Sequence, residues 1–311
     1  MNNAQSSIEL IKQRRSCRNY KNMPIEENKR QALVQILTTI SSGPFGSSSR
    51  FGLVAATEAD RSTLRGLGTY GFIHGAPGFI IGATRDLPGN LEDFGYQMER
   101  IILGATALGL GTCWLGGSFT RSTFSSRISL MKDEILPAVC AVGYMDDKRK
   151  VIENVIRRSI GSINRLTWKQ IFFDLETGRS LEHQDAGIYT PALEMLRLSP
   201  SASNKQPWRI LKQGNRWHFF LKRTDGYGRS LLSRMLDVAD LQRVDMGIAM
   251  CHFEMASLEI GLKGTWEIHD PGGSYPGNVG QYLVSWVDKS PVPSIHNPIG
   301  FITKQGEHDE T

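Results

Sequence analysis

Asp93–Trp114, DFGYQMERIILGATALGLGTCW, and Asp245–Trp266, DMGIAMCHFEMASLEIGLKGTW, are the two stretches on which the fold turns. Asp93, Gly95, Met98, Gly109, Leu110 and Trp114 match Asp245, Gly247, Met250, Gly261, Leu262 and Trp266, every pair at an offset of 152 residues and without a gap. Two buried helices of similar composition raise the chance background, but six ungapped identities in one window point to an internal repeat. Each stretch begins as a helix that is apolar nearly all round, the mark of a buried helix. Each then stops at glycines that let backbone approach another helix or a planar ligand closely. A central helix of this kind is normally buried against a twin. The expected fold class is therefore α+β: two tandem repeats, residues 1–160 and 161–311, joined near Ile160–Thr167. Each repeat is expected to be a mixed β-sheet flanked by helices around a buried central helix, the pair forming a dimer within one chain.

Working outward from the repeat, Ser6-Ser7-Ile8-Glu9 fits a capping box, with Glu9 reaching back to Ser6, for a short helix to about Gln13. Pro24 is expected to open a second helix with Ala32, Leu33, Ile36, Leu37 and Ile40 on one face. It ends in the breaker-rich SSGPFGSSSR, Ser41–Arg50. Phe51–Ala56, Gly78–Thr84 and Pro137–Tyr144 read as strands, and Gly66–Pro77 as a glycine-rich loop over a site. In the second half Pro191–Leu198 reads as a helix, Arg209–Leu221 as a hairpin turned at Gly214-Asn215, and Gln281–Val287 as a strand.

The bulk composition excludes several classes. With 311 residues, 40% hydrophobic and 22% charged, the chain is an ordinary globular protein of about two domains. A net charge of +5 without a long Lys/Arg block gives no nucleic-acid arm, and a bound anion explains the excess equally well. Cys17, Cys113, Cys140 and Cys251 are far apart, with no CxxC pair, and read as reduced thiols rather than a metal site. The N-terminal MNNAQSSIEL lacks the apolar core of a signal peptide, and no run of about 18 apolar residues offers a membrane span. A cytoplasmic location is expected.

Three further stretches carry chemistry. Arg14-Arg15-Ser16-Cys17-Arg18 places guanidinium forks and a hydroxyl just past a helix, suited to one phosphate, although a solvated basic helix end has the same composition. Ser199–Trp208, SPSASNKQPW, lies between prolines and offers short hydroxyl, amide and backbone groups, as a flat heteroaromatic ligand needs and as a plain polar turn also shows. Gly109–Gly117 holds the close-approach glycines of the first repeat. Of the seven histidines, His252 in the apolar helix reads as a satisfied core residue, and His74 alone is placed near a pocket.

Together, RRSCRNY, SPSASNKQPW and GLGTCWLGG resemble the nitroreductase family of flavoproteins: the N-terminal RRSxRxF phosphate motif, the APSxxNxQPW flavin loop and the segment after the long dimer-core helix. The resemblance covers nearly the whole chain and is similar to the single-chain, internally duplicated "TM nitroreductase" branch. It implies a nitroreductase-like fold and FMN. Arg14, Arg15, Ser16 and Arg18 would hold the phosphate end; Pro200, Ser201, Ala202 and Asn204 would line the ring from the other half. Leu115, Gly116 and Gly117 would approach ring N5, and Arg165 would add a basic group, with Arg157 and Arg158 as weaker candidates. Each half keeps one complementary motif: SSGPFGSSSRF replaces the flavin loop in the first, and FDLETGRSL the arginine motif in the second. One FMN per chain follows, in a monomeric pseudo-dimer or weak homodimer.

The implied activity is electron transfer from NAD(P)H through flavin to a nitroaromatic, quinone or similar small acceptor, with no side chain acting as general acid or base and no metal. A flavin-storage protein, dehalogenation or flavin fragmentation on the same scaffold are the alternatives.

Overall fold

The computed structural model describes residues 5–55, 57, 62–146, 164–227, 239–272, 275 and 279–290. The first half contains α1 (Ser7–Gln13), α2 (Glu27–Thr39), β1 (Arg50–Ala55), β2 (Gly78–Arg85), α3 (Asn90–Ala107), β3 (Gly111–Leu115), α4 (Arg121–Arg127), β4 (Glu134–Ile135) and β5 (Val139–Gly143). The second contains α5 (Trp168–Ile171), β6 (Phe172–Asp174), α6 (His183–Ala186), α7 (Thr190–Arg197), β7 (Trp208–Gln213), β8 (Arg216–Leu221), α8 (Leu241–Glu259), β9 (Gly264–Glu267) and β10 (Gln281–Asp288).

The repeat is visible in the sheets. The first runs β1-β2-β5-β3, with β4 also paired to β2; the second runs β6-β7-β8-β10-β9. With β4 and β6 set aside, both have the same order, in which the third and fourth strands of the unit are exchanged. The first sheet is antiparallel in its described strand pairs, and the second is mixed because β6 runs parallel to β7. Two strands stand where the sequence showed only close-approach glycines: β3 lies inside Gly109–Gly117, and β9 occupies the matching place after α8.

The central helices α3 and α8 pack against each other at repeat-equivalent glycines. A Cβ built on Gly95 would lie 2.1 Å from the Val244 carbonyl oxygen, and one on Gly247 would lie 1.8 Å from that of Glu92. Val244 and Glu92 stand at the same 152-residue offset as the glycines, so the crossing has internal two-fold character. The cores interpenetrate accordingly. Tyr96 and Leu103 of α3 join the second half's core, while Val244 and Ile248 of α8 join the first half's. Burial of such apolar surface contributes about 25 cal/mol per Å².

α1 also belongs to the second core, through Leu10 and Ile11. Its start differs from the expected capping box. The Ser6 Oγ accepts from Glu9 N at 3.2 Å, but the Glu9 carboxylate turns to Lys12 instead of back to Ser6. Glu259, at the end of α8, takes that role: its carboxylate accepts from Ile8 N at 3.0 Å and from Ser6 Oγ at 2.5 Å. Pro24 lies before α2 rather than in it, since the helix begins at Glu27 after an Glu26 cap. Among the described residues no helix is long and apolar enough to cross a membrane, and all four cysteines are free and buried.

Candidate functional site

Docking of α1 on the second half sends the following residues back across the molecule. Cys17 N donates to the Thr112 carbonyl at 2.8 Å, and Ser16 forms a parallel bridge with Thr112, so the basic stretch lies beside β3. At the end of β3 the chain meets the N-terminus of α8: a Cβ on Gly116 would be 2.5 Å from Leu241 Cδ1. Only glycine allows that approach without displacing Leu241.

Opposite lies the loop between α7 and β7. Ser203, Asn204 and Gln206 all have positive φ, near 50°, a region that costs a non-glycine residue about 1–2 kcal/mol. Fixed contacts hold this conformation. Gln206 is buried; its N–H donates to Ser201 Oγ at 2.9 Å, its Oε1 accepts from Leu166 N at 2.8 Å, and its Nε2 donates to the Asn164 carbonyl at 3.1 Å. Ala202 N donates to both carboxylate oxygens of Asp245, at 2.9 and 3.1 Å. Burial pushes the Asp245 carboxyl well above the usual carboxylate range; the Ala202 N–H opposes this, and Asp240 adds to it.

These pieces enclose a cavity of about 400 Å³ between the halves. Ser16, Arg18, Leu115, Gly116, Gly117, Pro200, Ser201 and Ala202 line it together with Asp245 and Phe72. The other expected residues are placed elsewhere. Arg14 turns to the buried Glu99, with Nε 3.5 Å from Oε1, and Arg15 reaches Met145 Sδ at 3.6 Å. Arg165 donates to Asn204 Oδ1 and to the Leu198 carbonyl at 3.0 Å, while Asn204 Nδ2 donates to the Asn164 carbonyl at 2.7 Å. Arg165 and Asn204 thus brace the loop and do not line the cavity. Arg157 and Arg158 lie outside the described residues.

Glu99 shows why Arg14 turns inward. Burial opposes its charge, but hydrogen bonding from His252 at 2.9 Å, the charge of Arg14 and the Trp114 indole at 2.7 Å hold its carboxyl below the usual range. His252 is fully buried, its other nitrogen 3.1 Å from the Met195 carbonyl, and occupies the core as expected. His74 does not line the cavity. Its backbone binds Arg18 and Tyr20, and Phe72 of the same loop faces the cavity instead. The sequence signal missed there is the aromatic pair Tyr70 and Phe72 among glycines.

The repeat-equivalent loop follows the same plan with different contents. Asp93, the counterpart of Asp245, accepts from Phe45 N at 2.8 Å and Ser47 N at 2.6 Å. Its carboxyl is pushed up to about 6 by burial, against those two N–H groups. Phe45 packs so closely on Gly89 that a Cβ there would lie 2.6 Å from the Phe45 Cβ. In the second half β6, which pairs with β7, ends in a turn in which Asp174 Oδ1 accepts from Thr177 N and Oγ1, both at 2.7 Å, whereas the arginine stretch of the first half bridges β3.

No curated protein sequence matches the chain significantly. A crystal structure from Thermotoga maritima, described as a "putative nitroreductase", superposes with a TM-score of 0.57 at 17% identity, covering 92% of this chain and 95% of that one. A nitroreductase from Bacteroides fragilis solved with bound FMN gives 0.37 at 22% identity, over 46% of this chain and 90% of that one. An "FMN-dependent Nitroreductase" from Clostridium difficile gives 0.36 at 24%, over 45% and 88%. The model of the family described as "Putative TM nitroreductase" matches residues 7–257, and the chain, with its nitroreductase-like fold, belongs to that family.

Proposed function

We propose that the protein is an FMN-dependent oxidoreductase that takes electrons from NAD(P)H and passes them to a small oxidant of the quinone or nitroaromatic class. We further propose one composite site per chain, between halves divided at about residues 160 and 161, in the cytosol. The observation that carries this reading is the cavity of about 400 Å³ with Ser16 and Arg18 on one side and Pro200–Ala202 on the other. That volume lies in the ordinary cofactor-pocket range of about 300–1,000 Å³.

The residues present suit the group. Ser16 and Arg18 offer a hydroxyl and a guanidinium to a phosphate. Pro200, Ser201 and Ala202 present small side chains to a flat ring, and Gly116 keeps backbone near its edge. Because burial raises the Asp245 carboxyl, this acid repels an anionic cofactor less than an exposed aspartate would. Bound there, FMN supplies hydride acceptance and release. The chain supplies position, exclusion of water by Leu241 and Phe72, and a loop held in its bound shape beforehand.

Purified protein should be yellow, and NADH or NADPH added without oxygen should bleach the flavin absorption. A colourless protein that takes up no FMN would sink the assignment. A flavin that stays oxidised under both nucleotides would favour the storage alternative.

A further inference from the structure

The β3–β5 ladder ends at the pair Leu115 and Val139, and the residues just beyond it, Gly116, Gly117 and Ala138, line the cavity between the halves. One guanidinium spans that end. Arg121, the first residue of α4, donates through Nη1 to the Leu136 carbonyl and through Nη2 to the Gly116 carbonyl at 3.4 Å. Its guanidinium carbon lies 5.1 Å from the ring centroid of the buried Phe119, a cation–π contact that helps to hold the side chain in place. Arg121 itself does not line the cavity. The start of α4 reaches a second wall as well: Thr120 N donates to the Gly68 carbonyl at 3.0 Å and so anchors the glycine-rich loop that carries Phe72.

The Gly116 carbonyl and the Gly117 N–H belong to one planar peptide and point in opposite directions. With glycine on both sides, little steric cost resists turning that plane, so whatever fastens its carbonyl decides which way its N–H faces. Arg121 fastens the carbonyl, and the Gly117 N–H is thereby turned away from the guanidinium. At the 152-residue offset the other half has Ile268 and His269, and there the His269 N–H is already bound to Tyr282 Oη at 2.9 Å. The half that lacks the arginine motif thus closes this donor within the protein. Resting on the FMN reading above, we propose that Arg121 is a positioning residue: without touching the cofactor, it sets the Gly116–Gly117 peptide as a hydrogen-bonding wall for the flavin ring. A donor fixed beforehand lowers the ordering cost of binding, so the contribution belongs to the ring and not to the phosphate.

The test compares FMN with riboflavin, the same ring without the phosphate, by fluorescence titration of the full chain freed of flavin and shown to be folded by circular dichroism. Arg121→Met keeps the length of the side chain and removes its donors. It should weaken FMN and riboflavin by the same factor, about tenfold, and Arg121→Lys, which can restore one carbonyl bond, should recover part of the loss for both. Arg18→Ala, by contrast, should weaken FMN alone. Unchanged affinity for both ligands in folded Arg121→Met would overturn the proposal, as would a loss confined to FMN or a wild type that holds FMN but not riboflavin. A wild type that bound neither flavin would sink the FMN reading and this one with it. Should Arg121→Met fail to fold, Arg121→Lys carries the comparison: a smaller but equal loss for both flavins supports the role, and wild-type affinity for both overturns it.

Discussion

Asp93 and Asp245 do the same mechanical work, since each holds the loop before β1 or β7 by its backbone, Asp93 through the Phe45 and Ser47 N–H groups and Asp245 through that of Ala202. The cost is burial of a carboxyl. For Asp93 the folded value of about 6 exceeds the ordinary 3.8, so the folded state binds the proton more tightly. Its stabilising contribution is complete below about pH 3.8 and is lost as pH rises through about 6, up to about 3 kcal/mol in all. The stability difference between wild type and Asp93→Asn, from urea unfolding at several pH values, should shift in the variant's favour across that window; a difference independent of pH would contradict the sign. The arginines separate in the same way. Arg14 sits 3.5 Å from the buried Glu99, so Arg14→Ala should cost about 1–3 kcal/mol by removing one of that carboxylate's three partners, His252 and the Trp114 indole remaining. Arg18 lines the cavity. Its replacement by Ala should instead cut FMN affinity about tenfold to a hundredfold, through loss of a charge-assisted bond of about 1.5–3 kcal/mol. Denaturation curves and flavin content of the two variants distinguish these effects; the opposite pattern would return Arg14 to the phosphate.

Between elements, the decisive contact is the crossing of α3 and α8. A methyl on Gly247 would meet the Glu92 backbone at 1.8 Å, and backbone cannot move aside as a side chain can. Gly247→Ala should therefore destabilise by about 1–3 kcal/mol or more through overpacking. Gly104→Ala is the control: the new methyl would meet only the end of Ile36, at 2.9 Å, and helix propensity favours Ala by about 1 kcal/mol. Chemical denaturation should rank Gly247→Ala well below wild type and Gly104→Ala near it; equal effects would remove the crossing from its central place. This crossing was legible in the sequence, because Gly95 and Gly247 interrupt otherwise apolar helices at one fixed offset. The strands β3 and β9 were not, since the glycines at their starts read as points of close backbone approach and four or five residues are too few to show a period. The brace of Arg165 and Gln206 on the flavin-type loop was hidden for another reason. Both residues look like ligand groups until Asn164–Leu166 fold against the loop some forty residues ahead. Ser16, Gly116 and Ser201 could be placed together from their motifs, whereas Phe72 needed the course of the glycine-rich loop.

For the whole molecule, duplication explains both the symmetry and its failure. The two sheets share a strand order, the central helices meet at equivalent glycines, and each core borrows residues from the other half's helix. Surfaces that a homodimer would bury between subunits are already covered within one chain, so light scattering on a sizing column should give a monomer mass. The site did not keep that symmetry. On one side Ser16 and Arg18 line the cavity with Pro200–Ala202; on the other, Phe45 packs against Gly89 in the loop held by Asp93. The most direct measurement is the amount of flavin released by acid from FMN-saturated protein, quantified against protein concentration. One composite site predicts a ratio close to one FMN per chain, and a ratio close to two would contradict it.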